Sequence, residues 1–323
     1  MIHEFALDPR ILNRWEAYDR FVNDCGVEQG RLIADFPNRW RRMVMEAVDR
    51  NPAVTSVERQ RIEFHLQHRA EPKLMTSSRR YDFTNFDWLA QAEREHNGGK
   101  TFRAVVTNEN PRGHPEVLLA EELDRDHDPL WRVTRSETIA RTPAKFAEIS
   151  RTLFKISRHV RLVDPHFKPE ARRYQEVLES LLSALRASNH PVQAVEFHLT
   201  VGKDRTTQIE TPRSAFEQGC RRFLPGCIPA GLKLSLFRWK QRHNGERLHA
   251  RSILTDRGGI GIEGGLDAGH PGQTTQVYLL TKEQRDKQWR DFDHSRPFGA
   301  EQAWEPVFEP EPGGPVIVTG TRH

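Results

Sequence analysis

The chain has 323 residues, 36% hydrophobic and 29% charged, with 49 Lys and Arg against 45 Asp and Glu and a net charge of +4. That is long enough for two ordinary domains, and 17 Phe and 7 Trp exclude a disordered class. The small basic surplus permits anionic partners without demanding them.

Three cysteines, Cys25, Cys220 and Cys227, form no CxxC and have no matching histidine framework, so they read as reduced thiols of a cytoplasmic protein with no bound metal or cofactor. The opening MIHEFALDPR lacks a basic and then apolar signal pattern, and no stretch approaches the ~18 apolar residues of a membrane span.

Along residues 10 to 96, ILNRWEAYDRFVNDC, FPNRWRRMVMEAVDR and SVERQRIEFHLQHRA carry apolar residues three and four apart, the spacing of amphipathic helices. Ser56 is the expected N-cap of the third. One strand, FRAVVT, follows Gly98-Gly99, and a Pro-, Asp- and Glu-rich stretch runs on to Trp131. Residues 1–135 are therefore expected to be an α-rich module with a small β element. A protein partner is one use for such a module.

From Arg135 onward helix and strand alternate. Thr142 and Pro143 open the helix PAKFAEISRTLFKIS, with Pro at its first position. VRLVDP, AVEFHLTV, LKLSLFRW, LHARSILTD, GIGIE and TTQVYLL read as strands; PEARRYQEVLESLLSALRAS, SAFEQGCRRFL and TKEQRDKQWRDF read as helices. The expectation is an α/β class, a mixed sheet flanked by helices over 136–304, with a Pro/Gly-rich tail along the surface over 305–323.

Several patterns are decoys. Gly259, Gly261 and Gly264 spell GxGxxG, but LDAGHPGQ follows and starts no helix. Asp124, Asp126 and Asp128 imitate a calcium loop whose glycine position holds Pro129. His65 and His68, with Glu63, have no third metal ligand, and the basic runs Arg39 to Arg42 and Arg79-Arg80 read as a helix face or loop before a nucleic-acid patch.

The most informative stretch is LHARSILTDRGGIGIEGGLD, which places His249, Arg251 and Asp256 as HxRx4D ahead of a glycine-rich turn. Alternation on a strand points His249 and Arg251 the same way. An imidazole beside a guanidinium can act on one phosphate, the first as nucleophile or general acid and the second as a bidentate clamp.

In this pattern residues 140 to 292 resemble a half-domain of the phospholipase D superfamily, whose signature is HxKx4Dx6GSxN. The resemblance implies a phospholipase D-like fold, a phosphohistidine formed on His249, phosphate held by Arg251, and support from Asp256. The GSxN ending maps onto Gly264, Gly265, Leu266 and Asp267, one residue late and with Asp in place of Asn. Asp164 and His166, at the end of VRLVDPHF, would face the same cleft. His198 is a further candidate that reads first as a histidine satisfied within the sheet.

Arginine keeps the lysine's charge but cannot donate a proton, and active members use two histidines where this chain supplies one motif. Two readings stay open. One is a metal-independent bacterial nuclease or phosphodiesterase built across a homodimer two-fold; the other is an inactive binding or regulatory module for a protein or lipid partner. Nucleic acid is preferred as the phosphodiester because the sequence offers no amphipathic membrane helix.

Overall fold

Short apolar runs with no alternation build the first sheet. Phe5 to Leu7, Leu32 to Ala34 and Ala104 to Val106 are each at most 1% exposed, the burial expected of parallel strands covered on both faces. They lie in β1 (His3–Leu7), β2 (Arg31–Ala34) and β4 (Ala104–Thr107), which join β3 (Leu74–Met75) and β5 (Val117–Leu119) in a parallel sheet of order β3-β2-β1-β4-β5. The computed structural model describes all residues except 77, 85–86, 189–191, 193, 203–209, 242–247, 294–307 and 321–323.

Helices α1 (Trp15–Val22), α2 (Trp40–Asp49), α3 (Ser56–His68) and α4 (Trp88–Asn97) complete this unit, Met1–Arg135. Tyr18, Phe21, Trp40, Ile62 and Trp131 pack with Phe5 and Leu7, while Phe36, Trp88 and Leu89 pack with Ala6 and Val105. The expected α-rich module is thus corrected to an α/β unit. Strand β4 answers to the expected FRAVVT, but the other four are two to five residues long and carry neither the length nor the period that marks a strand in sequence.

The second unit, Ser136–His323, holds a mixed sheet. Its elements are β6 (Ser136–Ala140), α5 (Pro143–Ile156), β7 (Val160–Val163), α6 (Arg172–Ala187), β8 (Ala194–Thr200), α7 (Arg213–Phe223), β9 (Lys233–Gln241), β10 (Ser252–Thr255), β11 (Gly259–Ile262), β12 (Thr274–Leu279), α8 (Lys282–Asp291), β13 (Phe308–Pro310) and β14 (Val316–Thr319). The order is β13-β9-β8-β7-β10-β11-β12-β6, with β14 also on β9. Strands β7, β8 and β9 run parallel, and the remaining pairings are antiparallel. The molecule is accordingly mixed α/β, with two sheets and eight α-helices among the described residues.

Thr142 caps α5 through the Lys145 N–H at 3.4 Å, and α6 buries Tyr174, Val177, Leu178, Leu181, Leu182 and Leu185, the stripe of an amphipathic helix. Three details differ from the sequence reading. The N-cap of α3 is Thr55, in a reciprocal capping box with Glu58. Strand β10 starts at Ser252, so His249 and Arg251 precede it. The tail is not all surface coil, because β13 and β14 hydrogen-bond to β9, with Val316 and Val318 buried and Ile317 exposed.

The decoys take ordinary structural places. His65 packs edge-on against Trp15 and His68 against Phe64; Asp124 accepts the Asp126 and His127 N–H groups in a solvated turn. Arg79 is no patch residue: it is 9% exposed, paired with Glu4 at 2.5 Å, and its guanidinium lies 3.7 Å from the Phe102 ring centroid. All three cysteines are buried and free, and burial pushes the Cys25 thiol up to about 12.

Candidate functional site, an arginine pocket at the end of the second sheet

Leu248 and Ala250 pack into the apolar cluster of Val163, Phe237, Trp239 and Phe292. Arg251 turns to the opposite side, toward Asp164 and the glycine pair. The Arg251 carbonyl still accepts the Ile262 N–H at 2.8 Å, which fixes this residue to the β11 hairpin although β10 begins one residue later.

A small pocket of about 210 Å³ gathers Arg141, Asp164, His166, Arg173, Tyr174, Arg251, Gly264, Gly265 and Asp267. Asp164, immediately beyond β7, is wholly buried. Its Oδ1 accepts the His166 N–H at 2.8 Å and its Oδ2 the Leu266 N–H at 2.7 Å. Burial raises its carboxyl above the usual range, opposed by those two amides and Arg251 and reinforced by Asp267.

The glycine pair is required by close approach. Gly265 has φ +99, and a Cβ there would lie 3.0 Å from the Asp267 carboxylate and 3.1 Å from that of Asp164. At Gly264 it would lie 2.8 Å from Thr275 Oγ1. The turn therefore brings backbone, two carboxylates and Arg251 within a few ångströms of one another.

Two further arginines enter from other elements. Arg141, which follows β6, donates to the Gly264 carbonyl at 2.6 Å and the Asp267 carbonyl at 3.2 Å, and pairs with the Asp267 carboxylate. Arg173, in the first turn of α6, lies 3.2 Å from the other Asp267 oxygen. Three guanidinium groups thus meet two carboxylates, one of which, Asp164, is pushed by burial toward its neutral form. The balance is cationic, and the planar forks suit a phosphate or other oxyanion.

Of the residues singled out in sequence, Arg251, Gly264, Gly265, Asp267, Asp164 and His166 come together. His249 is exposed and does not line the pocket. Asp256 lies beyond the opposite end of β10, where its Oδ1 accepts the Arg158 and His159 N–H groups at 2.8 and 3.0 Å and pins the turn between α5 and β7. His198 is fully buried on the face of the Phe237 cluster: Trp239 donates to its Nδ1 at 3.0 Å, Glu196 lies 3.2 Å from Nε2, and Phe237 stacks on the ring.

Arg141 and Arg173 were not singled out in sequence. Arg173 did leave a signal, since Arg172-Arg173 opens a helix at the end where the dipole disfavours cations. A cation there needs a local carboxylate, and Asp267 supplies it.

No family model matches the sequence, and no curated protein matches it. Among solved structures, phosphatidylserine synthase from Haemophilus influenzae Rd KW20 matches at 10% identity with a TM-score of 0.33, over 50% of this chain and 36% of that one. TrmBL2, an archaeal chromatin protein described with a novel mode of DNA binding, matches at 13% identity with a TM-score of 0.23, over 49% of this chain and 53% of that one. This chain therefore spans about a third to a half of the length of these two solved structures.

Proposed function

We propose that the Ser136–His323 unit is a phospholipase D-like domain that binds a phosphodiester, supplied by nucleic acid, in the arginine pocket. The observation that carries this reading is the convergence of Arg141, Arg173 and Arg251 on the Gly264-Gly265 turn. Arg251 takes the phosphate oxygens, and the glycines let the chain pass close to them. His249 stands outside the pocket, which favours a binding or regulatory module over an enzyme. Protein and lipid partners are the alternatives for such a module.

The test is fluorescence anisotropy with a labelled oligonucleotide. Arg251→Gln is expected to weaken binding roughly tenfold, on the order of 1.4 kcal/mol; unchanged affinity would reject the pocket as the site.

A second reading is favoured by one observation, the exposure of His249 two residues from Arg251. An exposed imidazole is open to a second copy of the chain, and a homodimer would supply both the attacking and the protonating histidine without metal. In that reading His249 is the nucleophile, Arg251 clamps phosphate and Asp256 braces the strand from its far end. Turnover of bis-(p-nitrophenyl) phosphate that survives EDTA and vanishes in His249→Ala would establish it. A monomer, or full activity in His249→Ala, would exclude it.

A further inference from the structure

A larger hollow adjoins the arginine pocket. The cleft, about 940 Å³, is bounded by the loop after β7, the first turn of α6 and one side of α7, and it shares His166, Arg173 and Tyr174 with the pocket. Its charge is one-sided. Among the described residues, Lys168, Arg173, Arg222 and Arg238 line it against one carboxylate, that of Glu170.

These cations are not equivalent. Arg238 is 4% exposed and lies 3.3 Å from Glu311, so it belongs to the frame; Arg173 is engaged by Asp267. Lys168 and Arg222 are exposed, and neither forms an ion pair with another described residue. Arg222 also sits 5.1 Å from the ring centroid of the half-buried Phe223, which lines the same cleft.

Solvated cations beside an aromatic face are what a single-stranded nucleic acid requires, because unstacked bases need a π surface and the backbone needs charge. A duplex is a convex rod whose major groove alone is ~12 Å wide. It lies across a surface, whereas a flexible strand bends into a hollow. Anionic lipid offers one headgroup and would leave the cleft beyond the pocket unused.

We propose that a single strand of nucleic acid runs from the arginine pocket into this cleft, with Lys168 and Arg222 on successive phosphates and a base against Phe223. The inference rests on the phosphodiester reading of the pocket and adds the form of the nucleic acid and its path.

The experiment uses the full chain and a labelled oligothymidylate of about twelve nucleotides, within the usual single-strand site sizes, titrated across a salt series. Each phosphate contact contributes about 0.7 to the slope of log affinity against log salt. The double variant Lys168→Gln/Arg222→Gln is expected to flatten that slope by about 1.4, and Lys168→Arg/Arg222→Lys to restore it. Phe223→Leu is expected to weaken binding about tenfold with the slope unchanged. Thermal midpoints verify that each variant is folded.

If the strand binds and loses affinity in Arg251→Gln but not in the double variant, the path through the cleft is overturned while the pocket reading stands. Tighter binding of a duplex of matched length also overturns the single-strand inference. Binding of phosphatidylserine-containing vesicles with no binding of the oligonucleotide overturns both the path and the nucleic-acid assignment.

Discussion

At the scale of single residues, Asp267 sets the character of the pocket. It stands where the resembled family has asparagine, and its carboxylate holds Arg141 and Arg173 together. An incoming phosphate competes with this built-in carboxylate for two of the three guanidinium groups. Asp267→Asn is therefore expected to tighten diester binding roughly tenfold while lowering stability by about 1–3 kcal/mol. The lost stability should return on adding a diester, which thermal unfolding with and without bis-(p-nitrophenyl) phosphate would show.

Asp164 adds a pH dependence. Its carboxyl is raised in the folded state by burial, so the folded chain holds that proton through a range of pH where the unfolded chain has lost it. The contribution to stability is full below the ordinary carboxylate range and falls as pH rises through the raised value. Phosphate affinity follows the same direction, because the neutral acid does not repel it. Diester affinity is expected to increase as pH falls through this window, and Asp164→Asn to remove that component; a titration series in pH with both proteins checks it.

At the scale of elements, helices announce themselves better than buried strands. Helix α6 is readable because a sixteen-residue segment has room to repeat its apolar stripe four and three residues apart. Strands β1 and β2 are not, since buried faces on both sides erase the alternation in runs of four and five residues, whereas the equally buried β4 stands out as FRAVVT behind Gly98-Gly99. The strand at β14 was readable in principle: Val316 and Val318 face in, Ile317 and Thr319 out, and only the flanking Pro and Gly obscured it. The α3 cap lies one residue before the expected Ser56, because Ser56 and Thr55 are both capping types and only the reciprocal bond with Glu58 decides between them. Thr55→Ala is expected to cost about 1 kcal/mol and Ser56→Ala a few tenths at most, a contrast that urea denaturation resolves. The loss at Thr55 is sharpened by Glu58, which also accepts the Trp15 N–H at 3.2 Å and so ties the start of α3 to that of α1.

The site was readable in the same uneven way. The glycine pair, Arg251, Asp267, Asp164 and His166 lie near one another in sequence or at a strand end, where side chains converge. Arg141 reaches Asp267 across 126 positions of chain, and nothing local announces such a contact. His249 and Asp256 share a motif with Arg251 but not its surroundings: one is exposed and the other braces a turn beyond the far end of β10.

At the scale of the whole molecule, the two units differ in when their sheets can close. The parallel sheet of Met1–Arg135 is complete once β5 has been made. The second sheet is not, because β9 must wait for β13 and β14, and Glu311 must arrive to meet Arg238 and Arg213. A protein truncated after residue 307 is expected to expose that edge and lose the buried Val316 and Val318, and so to aggregate. Sedimentation and thermal unfolding beside the full chain would show it, and a monomeric truncation with an unchanged midpoint would refute it. During synthesis, then, the first unit can fold while the second remains an open-edged intermediate. The interval in which this chain most needs protection from its neighbours on a polysome closes only when Thr319 has been added.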